Sequence, residues 1–334
     1  MFPPFIRTDR SVRSVMASVL LALLPSVAVY FFLFGPPIII SLGICTVSCL
    51  LAEWVSLLLR KKTVIMFLSD GSAVVTAWLI ALSFPPISPW WMLVIASITA
   101  IAITKHLYGG LGNNIFNPAM MAYAICLLCY PQFMTKWVAV QAKLSWSEAW
   151  SLIVQQKLNF SGLTQGTVLD TVRTGLTSKM MTLKQIKDLS PQNFGQWGSP
   201  GYEWVSASYC VGGVLLWYLR IITWHMPIPF IFTLSVLSLT GHIVDPNRFV
   251  GIIPELLSGG TMLAAWFIIT DPVSGATTTR GKVIFSVGIA LLTFIIRHLG
   301  GYPDGIAFAV ILLNSCVPVI DRYTQPAVFG RGKK

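Results

Sequence analysis

The chain has 334 residues, 55% of them apolar and only 10% charged, with a net charge of +11 and a mean hydropathy of +0.73. Soluble domains usually carry about 25% charged residues, so this chain cannot cover a water-facing surface and most of its area must meet lipid. The basic residues lie in short clusters between apolar runs, which argues against nucleic acid as the partner of the positive charge.

A bilayer core is about 30 Å thick and needs about 20 mostly apolar residues per spanning helix. In chain order, ten candidates qualify: 15–34, 36–59, 64–84, 89–104, 117–134, 203–219, 228–244, 252–270, 283–296 and 305–320. The first resembles a signal peptide but is too long and lacks a clear small-x-small cleavage site, so it reads as a span. The fourth, fifth and ninth are short and are expected to be tilted, broken or re-entrant. The predicted fold class is therefore an all-α polytopic membrane protein. A first transmembrane repeat covers 1–134, a loop 135–202 and a second repeat 203–334.

Lys and Arg in short loops set orientation. Fourteen, from Arg7, Arg10 and Arg13 through Arg60, Lys61 and Lys62 to Arg331, Lys333 and Lys334, share the side of the N-terminus. Only Arg248 and Arg297 fall in the short loops of the other side. Both termini are expected in the cytoplasm, with the long loop on the outer face of the membrane.

The halves resemble each other. Gly71 to Trp78 is echoed by Gly260 to Trp266 with an offset of one, and Gly109-Gly110 by Gly300-Gly301. Five spans per half invert the second repeat, and such repeats place a site near their junction, beside interrupted helices. Residues 105–118 and 271–282 are polar and rich in small residues, and irregular backbone at that depth is expected to line a cofactor or ion path. Glu53 and Asp70 fall within spans, where an acid is a functional candidate. Glu53 could instead pair with the basic edge at Arg60 to Lys62, and Asp70 could cap a broken helix. All six cysteines lie in apolar runs, which disfavours a disulfide framework. Cys126 and Cys129 read as packing residues on one helix. His106, His225, His242 and His298 lack metal-ligand spacing, so no metal is assigned.

Four stretches carry a resemblance: residues 105–120, beginning Lys105-His106 and containing Gly109-Gly110 and Asn117-Pro118; 257–263, around Gly259-Gly260; 270–282, with Asp271-Pro272; and 300–310, with Gly300-Gly301. With them the chain resembles, over nearly its whole length, the D subunits of the Rnf (Rsx) ion-translocating electron-transport complex. The B subunit of the sodium-pumping NADH:quinone reductase shares several of these motifs.

The resemblance implies an electron-transfer subunit rather than a free-standing enzyme. Such a subunit carries FMN through a phosphoester to a threonine of the outer loop, attached there by a separate flavin transferase. Residues 161–174 align without a gap on the family's flavin-bearing stretch and place the acceptor at Thr167. Ser161 stands where the family has Asp, and Val168 where it has Pro. Thr177 is the fallback in a shifted register. Thr277 fits the short pattern but lies on the cytoplasmic side. Basic loop residues such as Lys157, Arg173, Lys179 and Lys184 read as solvated or as contacts to phosphate or a partner. The resemblance also implies A-, B-, C-, E- and G-type partner subunits, coupling of ferredoxin and NAD redox chemistry to sodium or proton movement, and a possible second, non-covalent flavin. This subunit itself shows no G-x-G-x-x-G in a strand–helix context and is not expected to bind NAD. The alternative is a secondary transporter or channel for a small polar solute or ion, because inverted repeats serve many such proteins.

Overall fold

A computed structural model describes residues 11–142, 144–156 and 162–325. Lys157, Ser161 and the terminal basic residues Arg7, Arg10, Arg331, Lys333 and Lys334 lie outside the described residues. The first half opens with α1 (Val12–Phe34), capped by the Ser11 side chain accepting from the Ser14 N–H. Gly35 turns the chain at φ +80°. Pro37 then begins α2 (Pro37–Leu59), in the first turn where a missing N–H costs nothing.

The third expected span is broken into α3 (Val64–Leu68) and α4 (Ser72–Ser83). Gly71 makes the break at φ +80°. Asp70 Oδ1 accepts from both the N–H and the hydroxyl of Ser72, at 2.7 and 2.5 Å. The carboxylate thus satisfies a helix-start donor that lipid could not. Helix α5 (Trp90–Ile98) continues as a wider π-helical turn, Thr99–His106. Helix α6 (Pro118–Cys129) is capped by the Asn117 side chain.

The connecting segment folds onto one end of the bundle, here termed the loop side. It contains α7 (Pro131–Met134), β1 (Trp137–Val138), α8 (Trp146–Trp150), β2 (Thr164–Gln165), α9 (Val168–Ser178) and α10 (Leu183–Leu189). β1 and β2 pair antiparallel, with Trp137 opposite Gln165. In α8 a capping box joins Ser145 and Glu148. The Ser145 N–H and hydroxyl hold the Glu148 carboxyl below its usual range. Val168, Val172 and Leu183 bury themselves against Val250, and the Leu183 N–H donates to Asn247 O at 2.8 Å. The long loop is thereby packed onto the connection between the seventh and eighth spans.

The second half runs α11 (Tyr202–Tyr218), α12 (Pro227–Val244), α13 (Ile252–Leu257), α14 (Thr261–Leu263), α15 (Thr279–Leu299) and α16 (Ile306–Thr324). The eighth span breaks at Ser258–Gly260, with Gly259 at φ +63°, and α14 continues as a π-helical turn, Ala264–Ile268. The ninth span is not short: α15 has 21 residues. Thr278 caps its start, and Arg297 stays in its last turn because buried acids neutralise it.

Helix α1 packs along α11, and α6 against α16. Within the halves, α2 packs on α4 and α5 while α12 packs on α13 and α15. Among the described residues, five helices, α1, α2, α12, α15 and α16, are long and apolar enough to cross a membrane alone. Shorter or broken apolar helices occupy the other five expected positions. Exposed Phe32 and Leu59, 88% and 80% accessible, fit lipid as the surrounding solvent.

Candidate functional site

Two matched charge clusters are buried at the broken helices. In the first half, Lys105 Nζ lies 2.8 and 2.7 Å from the Glu53 carboxylate oxygens and donates to Ser72 Oγ at 2.7 Å. His106 Nε2 is 3.1 Å from Glu53 Oε1, and its Nδ1 is 3.1 Å from the Arg60 guanidinium. Glu53 therefore pairs with Lys105 and His106, not with the Arg60 to Lys62 edge; Arg60 reaches His106 and the Gly109 carbonyl instead. Asp70 acts as the cap of the broken span.

In the second half, Arg297 binds Glu255 at 3.0 Å and Asp304 at 3.1 Å. It also donates to Thr261 Oγ1 at 2.8 Å. His298 Nε2 stands 3.5 Å from Glu255 Oε2. Asp304 Oδ2 accepts the Gly260 N–H at 2.8 Å, closing the second break. The correspondence is residue by residue: Lys105-His106 with Arg297-His298, and Ser72 with Thr261. Only the glutamates come from non-equivalent helices, α2 and α13. A buried cation needs such partners, since an unpaired charge in hydrocarbon costs several kcal/mol.

The sequence reading did not single out these clusters. The signal was present as a basic residue followed by His, shortly before Gly-Gly, in each half. The partner glutamates are 52 and 42 residues distant, beyond any local pattern.

Two cavities lie between the halves. One, about 1060 Å³ in open volume, is bordered on the loop side by Thr167, Asp170 and Ser199, and deeper by Tyr30, Tyr209 and Gly260. The other, about 920 Å³, is lined by Lys105, Asn114, Asn117, Thr270 and Asp271. The two polar stretches 105–118 and 271–282 therefore meet around one space. Consecutive residues of two shared walls face the two cavities: Met120 and Ile268 the first, Ala119 and Phe267 the second.

Thr167 is the N-cap of α9, and its hydroxyl accepts the Asp170 N–H at 3.2 Å. Burial pushes the Asp170 carboxyl up, and Arg173 pulls it partly back. Thr177 sits in the last turns of α9, where its hydroxyl donates to the Arg173 carbonyl at 2.7 Å. It borders a separate groove with Met180 and Arg248. Thr277 donates to Asp321 at 2.8 Å. Cys126 is buried and Cys129 exposed on α6, both as free thiols.

A profile described as the NQR2, RnfD, RnfE family matches residues 1–330. The D subunit of the ion-translocating oxidoreductase complex of Sodalis glossinidius is 42% identical over 342 residues, spanning 98% of this chain and 97% of that protein. Proteins of the same name from Vibrio cholerae serotype O1 and Tolumonas auensis are each 42% identical, over 341 and 340 residues, with the same coverage.

Proposed function

This chain belongs to the NQR2, RnfD, RnfE family, and from that premise we propose that it is the multi-pass D-type subunit of an Rnf ion-translocating oxidoreductase complex, relaying electrons through FMN esterified to Thr167. Relatives matched over 98% of the chain carry the name of that complex. The redox relay is preferred to a solute transporter on this ground, since the inverted repeat alone suits either. We further place both termini in the cytoplasm of a bacterial inner membrane, with A-, B-, C-, E- and G-type partners and a flavin transferase for maturation.

One observation carries the cofactor assignment: of the three candidate threonines, only Thr167 borders the cavity between the two halves. That cavity is lined mostly by apolar and aromatic side chains with a few polar groups among them, the usual character of a cofactor site. An N-cap position also suits a phosphoester. The first N–H groups and the dipole of the 11-residue helix α9 favour an anion there. Gly166 keeps the neighbourhood narrow, because a Cβ there would lie 3.0 Å from Thr171 Oγ1 and 3.3 Å from Asn193 Nδ2. The Thr167 hydroxyl accepts from the Asp170 N–H, whereas those of Thr177 and Thr277 donate, to the Arg173 carbonyl and to Asp321.

When bound, the flavin would supply one- and two-electron chemistry. The chain's own residues anchor, shield and orient it. Thr167 fixes the phosphate end, the Leu127, Met134 and Leu263 side chains exclude water, and Asp304 and Gly260 form the rim of the broken helix. The second cavity, back to back with the first, is our candidate for a second, non-covalent flavin. Asn114, Asn117 and Lys105 would meet its polar groups there. Co-expression with a flavin transferase tests the anchor. Denatured wild type and Thr177→Val should fluoresce on a gel, with one added FMN in the intact mass, and Thr167→Val should be dark. A dark wild type, or a fluorescent Thr167→Val, would remove the assignment.

A further inference from the structure

The cavity bordered by Thr167 contains two hydroxyls that the fold does not fully satisfy. Tyr209 on α11 is 5% exposed and Tyr30 on α1 is 2% exposed. Among the described residues, Tyr209 Oη finds no hydrogen-bond partner, and Tyr30 Oη lies beside the Tyr202 phenol without full hydrogen-bond geometry. Tyr30 has the phenols of Tyr202 and Tyr209 as polar neighbours, so Tyr209 is the more isolated of the two. Leaving a buried hydroxyl unpaired is destabilising, and Phe would fill the same space without that penalty. The neighbouring phenol shows the ordinary solution: Tyr202 donates to the Val138 carbonyl at 3.0 Å. Both phenols line the cavity wall, and they come from α1 and α11, the counterpart helices that pack on each other. The space therefore has an apolar body with two hydrogen-bond donors at its buried end, which is the complement of a flat ring system bearing carbonyl acceptors.

Resting on the reading of Thr167 as the flavin anchor, we propose that Tyr209 and Tyr30 are the ring-positioning residues of that site, donating their phenolic O–H groups to the carbonyl edge of the isoalloxazine. Thr167 would hold the phosphate at the loop side while the phenols draw the ring inward between the repeats. The ring would then approach the wall formed by Met120 and Ile268, whose neighbours line the second cavity. A donor to a flavin carbonyl binds more strongly as the ring gains electrons and negative charge, so these hydroxyls favour the reduced cofactor.

The test uses the full chain matured with a flavin transferase in the wild type and in Tyr209→Phe, Tyr30→Phe and the double variant. Tyr218→Phe, on the exposed face of α11, is the control. The ring of Tyr209 packs edge-on against Phe267, and Phe preserves that contact. In-gel fluorescence reads attachment, and the visible spectrum and a spectroelectrochemical titration of the native protein read the ring's surroundings. The expected result is full attachment in every variant, with a displaced flavin absorption band and a more negative midpoint potential in Tyr209→Phe. A tenfold loss of preference for the reduced ring corresponds to about 30 mV for a two-electron couple. The double variant should shift further, and Tyr218→Phe should not shift. Should Tyr209→Phe fail to fold, Tyr30→Phe is read by the same criteria. Full attachment with an unchanged spectrum and potential would overturn the proposal while sparing the anchor, as would hydroxyls satisfied by internal water. Absence of covalent flavin from wild type would sink the anchor and this inference together.

Discussion

Arg297 illustrates how a single residue can hold several parts of this molecule. Its guanidinium joins Glu255, Asp304 and Thr261, and through Asp304 it secures the Gly260 N–H at the second break. Removing one partner of a buried pair leaves the other uncompensated, at about 3–5 kcal/mol. Arg297→Met should therefore lower the thermal midpoint in detergent sharply, and Arg297→Met/Glu255→Leu should recover part of the loss. The same logic makes Lys105→Met more damaging than Glu53→Gln/Lys105→Met, measured by monodispersity on heating; equal damage from single and double variants would refute the pairing. Asp170 carries a pH consequence. Its folded-state pKa is raised by burial, so its contribution to stability is present at low pH and lost as pH rises through the folded value. Asp170→Asn should stabilise the loop-side segment at neutral pH and flatten its acid dependence in a pH series of thermal melts.

At the scale of elements, close helix approach depends on glycine at specific points. A Cβ on Gly212 of α11 would overlap the Ala22 carbonyl of α1, and one on Gly213 would overlap the Trp266 ring. Overpacking typically costs about 1–3 kcal/mol. Gly212→Ala should accordingly loosen the α1–α11 seam and lower the detergent melting temperature. Gly43→Ala, with nothing within 4 Å of its added Cβ, should leave it unchanged. The breaks were only partly legible. Ser69-Asp70-Gly71-Ser72 carries visible cap chemistry, whereas Ser258-Gly259-Gly260 borrows its capping carboxylate from Asp304, 44 residues on. A distant acid cannot be seen in a local window. The ninth span was underestimated for a related reason: Arg297 looks like a terminus until its buried partners are known.

For the whole molecule, the central expectation is sidedness. A membrane-impermeant maleimide should label Met180→Cys, 91% exposed on the loop side, in intact cells stripped of the outer membrane. It should reach exposed Arg280→Cys only after lysis. Labelling in the reverse order would overturn both the orientation and the placement of the flavin transferase. The sequence alone determined the solvent and the all-α, multi-pass class, because lipid imposes length and composition locally. It also singled out Thr167, through a contiguous motif. Tertiary structure alone decided that Thr167 borders the inter-repeat cavity while Thr177 faces a separate groove. Tertiary structure likewise matched Lys105 to Glu53 and Arg297 to Glu255, and placed Tyr30 and Tyr209 in the wall of one space. The physical reason is common to these cases. A buried charge, an unpaired hydroxyl and a cavity wall are each defined by what another helix brings within about 3 Å, and that helix lies dozens of residues away in the chain.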